Sequence, residues 1–115
     1  MRWILSLCFV AQLVGARDIF EALQTMQFDT KKQELLKVAM GDFYAENHAY
    51  TRNNHHIRDR MLVALAQGET NLTQYTESFE KVSKQYIAAK TEFYQEVVGI
   101  LGEEQTEELI EILTK

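Results

Sequence analysis

The sequence predicts an all-α fold: a long antiparallel helical hairpin with short flanking N- and C-terminal helices, whose uncovered apolar surface leads it to dimerise. Three observations carry this prediction. The 115 residues include no proline, so no residue type forces a helix to break. Apolar side chains recur by fours and threes at Leu36, Met40, Phe43, Tyr50, Ile57, Met61 and Ala64, with Asn47 and Asn54 filling the two polar gaps. The same alternation, with one extra residue near its end, returns after Gly68 at Tyr75, Phe79, Val82, Tyr86, Ala89, Phe93, Val97 and Ile100. Each series makes one greasy seam on a helix too long to cover it alone.

Residues 1–16 read as a secretory signal. Arg2 gives a positive start, Ile4 to Val14 an apolar run, and Val14-Gly15-Ala16 the small residues a signal peptidase prefers. The run is shorter than the roughly 20 apolar residues a membrane span requires. Cleavage is expected after Ala16, leaving residues 17–115 as one helical hairpin domain. It would remove Cys8, the single cysteine, so the exported domain would have to rely on helix packing or oligomerisation.

Asp18 caps a short first helix, with Glu21 three residues on and a stripe of Ile19, Leu23 and Met26. This segment is read either as a docking arm or as a flap over the hairpin end. Thr30-Lys31-Lys32-Gln33 forms a capping box that starts the first long helix. Gly41 inside that helix either admits a close neighbour or is simply tolerated. Gly68 ends the helix in a left-handed cap, and Asn71, with Gln74 three residues on, starts the next. So short a turn makes the two helices antiparallel neighbours. Folding there sets Met61 near Phe79, Ile57 near Val82 and Tyr50 near Ala89. Asn54 then falls opposite Tyr86, and an amide–phenol hydrogen bond is expected to fix the register. Asn47 falls opposite Phe93, which offers it no such group. Leu101-Gly102-Glu103-Glu104-Gln105 closes the second long helix and opens a last short one carrying Leu109, Ile110 and Leu113.

Two glutamine-ended capping motifs thus bracket a helical hairpin behind a signal sequence. This layout resembles the periplasmic LTxxQ-motif family, which comprises Spy- and CpxP-like chaperone-type stress proteins, the zinc-responsive ZraP and the CnrX-type heavy-metal sensors. The matching positions are Thr30 and Gln33 in one copy and Gly102 and Gln105 in the other. Asp29 stands where the first motif has leucine, and Gly102 where the second has threonine. The resemblance implies a periplasmic homodimer of hairpins that binds unfolded or envelope proteins without ATP. It equally admits a metal-binding sensor or resistance protein, or a regulatory partner of a membrane sensor kinase.

A second stripe follows one residue behind the first seam: Tyr44, His48, Thr51, His55, Arg58, Leu62 and Leu65. A two-helix hairpin covers one stripe per helix, so this one is a candidate client or dimer surface, or a mixed solvated face. Candidate metal ligands are His48, His55, His56 and Asp59, for zinc, nickel or copper. Asp59 lies at helical spacing from both His55 and His56, but no two histidines are three or four apart. Arg52, Arg58 and Arg60 join the histidines in a basic centre, whereas after residue 60 four lysines face ten glutamates. Acidic ends could meet the basic centre of a partner chain. A net charge of −5 argues against a nucleic-acid partner. No catalytic constellation is recognisable, and an enzyme is not expected.

Overall fold

The computed structural model describes residues 18–115, so the expected signal sequence lies outside the described residues. Those residues form three helices and no strand: α1 (Ile19–Thr25), α2 (Thr30–Ala66) and α3 (Thr73–Thr114). The all-α prediction therefore holds. At about 1.5 Å per residue, α2 alone is about 55 Å long.

The helix starts follow side-chain chemistry. The Asp18 carboxylate accepts from the Phe20 amide at 3.0 Å and opens α1. At α2 the cap is Asp29, not Thr30. The Asp29 carboxylate accepts from the Lys32 amide at 2.8 Å, and its carbonyl from the Gln33 amide at 3.0 Å. A carboxylate at the positive end of a helix outcompetes a neighbouring hydroxyl for the free amides. Thr30 thereby becomes the first helical residue. Asn71 is displaced by one position in the same way: it bonds the Thr73 amide at 3.1 Å, while the Leu72 carbonyl starts the ladder of α3. Gly68, at φ 87°, ends α2 in the left-handed conformation as expected.

The chain divides into two compact units. One comprises residues 18–35 with Val98–Lys115, the other Leu36–Val97. In the first, Ala22, Leu23, Met26, Leu101 and Leu109 are buried. The helical run of α3 is interrupted there at Gly102, whose φ of 80° and ψ of 177° are non-helical. Only glycine adopts that conformation without strain. Lys32 answers the interruption. Its ammonium donates to the Leu101 carbonyl at 3.1 Å and to Gln105 Oε1 at 2.6 Å, and Gln105 Nε2 donates to the Gln27 carbonyl at 3.4 Å. A cation at the broken end of a helix meets the negative end of its dipole.

In the second unit, Leu36, Ala39, Ile57, Phe93 and Val97 are buried. An aromatic stack joins α2 to α3. The Phe43 and Phe93 rings lie 4.6 Å apart at 10°, and Tyr50 and Tyr86 4.3 Å apart at 20°. Phe43 also stacks on Tyr86 at 5.8 Å. Tyr86 therefore meets Tyr50 rather than Asn54, and Phe93 meets Phe43 rather than Asn47. The Asn54 amide turns back to the Tyr50 carbonyl of its own helix at 3.1 Å, and Asn47 is exposed. One amide–phenol bond contributes a net of about 1 kcal/mol. Stacked rings gain about 0.5–1.5 kcal/mol per pair beyond the area they bury, so the rings set the register. Gly41 has nothing within 4 Å of where a Cβ would stand, so within the chain it admits no close neighbour.

Candidate functional site

The second unit holds the second stripe, and every residue of it is exposed: Tyr44, His48, Thr51, His55, Arg58, Leu62 and Leu65. Tyr44 is 57% exposed, Leu62 53% and Leu65 43%. Each sits one position, or about 100°, past a seam residue and so looks out beside the seam rather than into it. Polar members are held locally. The His48 ring meets the Tyr44 ring edge-on at 4.6 Å. The Thr51 hydroxyl donates to the Asn47 carbonyl at 3.1 Å. Arg58 pairs with Asp59 at 2.8 Å. The result is a row of apolar side chains separated by polar ones.

A matching feature on α3 escaped the sequence reading. Ile87 is 56% and Tyr94 44% exposed, each one residue past a seam ring, Tyr86 and Phe93. The signal was present in the sequence. The one-residue offset that defines the stripe on α2 applies equally to α3.

The candidate metal ligands lie on exposed α2 surface. Among the described residues no group of three or more His, Cys, Asp or Glu side chains is placed to hold a metal ion. Asp59, the residue expected to join the histidines, is engaged by Arg58. The motif residues fall in the first unit, where Gln105 works through its side chain. Gln33 is exposed, and only its backbone amide takes part in the cap.

The opposite flank of the second unit carries a groove of about 330 Å³, walled by Asp42 and Glu46 of α2 and Glu92 and Glu96 of α3 over Phe43 and Phe93. No helix among the described residues is long and apolar enough to cross a membrane. Comparisons with protein-family models, curated proteins and solved structures find no match to this chain, so the functional reading rests on its own residues.

Proposed function

We propose that this is a periplasmic, ATP-independent chaperone-type protein of the LTxxQ kind, a dimer of antiparallel α2–α3 hairpins that holds unfolded proteins weakly and reversibly. The observation that carries the reading is the exposed row of Tyr44, Leu62 and Leu65 on α2. In an antiparallel helix pair, positions one step past each seam fall on the same broad side. Ile87 and Tyr94 of α3 therefore extend that row into a two-helix surface. Interspersed His48, Arg58 and Lys90 break up the apolar area and leave contacts with a client short-lived. Such a surface needs no energy source, because it competes with aggregation only while a client is unfolded.

The test is light scattering from a thermally or chemically unfolded model protein. The purified protein at a few-fold molar excess should slow its aggregation without ATP. No slowing at that excess would overturn the reading.

A further inference from the structure

The surface proposed for clients leaves the other flank of α2 unexplained. There Asp42, Glu46, Ala49, Asn53, His56 and Arg60 alternate by fours and threes, so they share one face. All are exposed except Ala49, which is half-buried. Charge reverses along this face. Two carboxylates occupy one end, small Ala49 and Asn53 the middle, and an imidazole and a guanidinium the other end. None of these four ionisable side chains makes an ion pair among the described residues. Both ends are hollow. The acidic end opens the groove in which Glu92 and Glu96 join Asp42 and Glu46 above the stacked Phe43 and Phe93 rings. The basic end opens one of about 480 Å³ that His56, Arg60, Val63 and Ala64 help to line.

We infer that this face joins two copies of the chain, α2 on α2 in antiparallel register, about a two-fold axis level with Thr51. That register sets Asp42 against Arg60 of the second copy, Glu46 against its His56 and Ala49 against its Asn53. The members of each pair lie equally far in sequence on either side of Thr51, which is the condition for a self-complementary two-fold contact. Arg60 of the second copy enters the acidic groove, where four carboxylates suit a guanidinium. Ala49 and Asn53 let the helices approach at the axis. A parallel arrangement would set Asp42 and Glu46 against their own copies and Arg60 against itself, so the charge pattern selects the antiparallel one. The contact leaves the Tyr44–Leu65 stripe, on the other flank of α2, uncovered. The inference rests on the dimeric part of the function proposed above and not on client binding.

Sedimentation equilibrium on charge-swapped proteins tests it. Asp42→Arg/Glu46→Arg and His56→Glu/Arg60→Asp should each raise the self-dissociation constant by about a hundred-fold or more. Mixed together, the two should form a one-to-one heterodimer, because every pair again sets a carboxylate against a guanidinium or an imidazole. Circular dichroism checks that each remains helical. Ala49→Trp, which keeps all charges, serves should a swapped chain fail to fold, and it too should weaken self-association. A wild-type monomer, swapped variants as dimeric as the wild type, or a mixture that stays monomeric would overturn the inference. Loss of client binding with an intact dimer would count against the chaperone function alone.

Discussion

The two compact units are held together by different means. In the unit formed by the chain ends, a helix is broken at Gly102. The break frees the Leu101 carbonyl, so polar side chains are recruited to answer it: Lys32, Gln105 and the Gln27 carbonyl form one connected set. In the unit of residues 36–97 the helices run unbroken apart from their connecting turn, and their backbones satisfy themselves. Side chains there are released from backbone duty. One stripe stacks rings between α2 and α3, and Tyr44, Leu62 and Leu65 stay exposed beside it.

Breaking each unit at its own support should sharpen this contrast. The largest effect is expected at Phe93, 2% exposed and stacked on Phe43. Phe93→Ala should lower unfolding free energy by about 3–5 kcal/mol in urea titration. A loss below about 1 kcal/mol would mean that the ring stack does not carry the unit.

Two glycines offer the next comparison. Neither Gly102 nor Gly41 has an atom within 4 Å of where a Cβ would stand, so any effect of alanine comes from the backbone. Gly102→Ala should destabilise by about 1–3 kcal/mol, because φ 80° and ψ 177° suit glycine alone. Gly41→Ala, inside a regular helix, should stabilise by about 1 kcal/mol. Equal effects of one sign in thermal melts would contradict the placement of the break.

The smallest expected effects lie at the cap of α2. Asp29→Ala should cost about 1 kcal/mol and Thr30→Ala within about 0.5 kcal/mol, read by the same melts. The reverse order would restore Thr30 as the cap.

Most of the helical plan was legible because periodicity reports burial directly. Each seam residue read on α3, from Tyr75 to Ile100, is buried or half-buried, as are all the apolar ones read on α2. What was misread depended on competition between neighbours. Asp29 and Thr30 can both cap, and only the geometry of the turn decides between them. Asn54 and Tyr86 can pair as polar groups, but Tyr86 gains more by stacking on Tyr50 and Phe43, and Asn54 has a carbonyl of its own helix within reach. The role of Lys32 was hidden because its partners lie some seventy residues away in sequence. The exposed stripe on α2 was legible from a one-residue offset, yet its continuation through Ile87 and Tyr94 went unread although the same offset marks it.

The exposed stripe beside the seam of α2 is proposed to grip unfolded protein while playing little part in the fold. Aggregation suppression by Tyr44→Ser/Leu62→Ser/Leu65→Ser, beside the wild type and at matched helicity, tests it most directly. The triple variant should melt within a few degrees of the wild type but lose most of its suppression. Suppression at the wild-type level from a folded triple variant would contradict it.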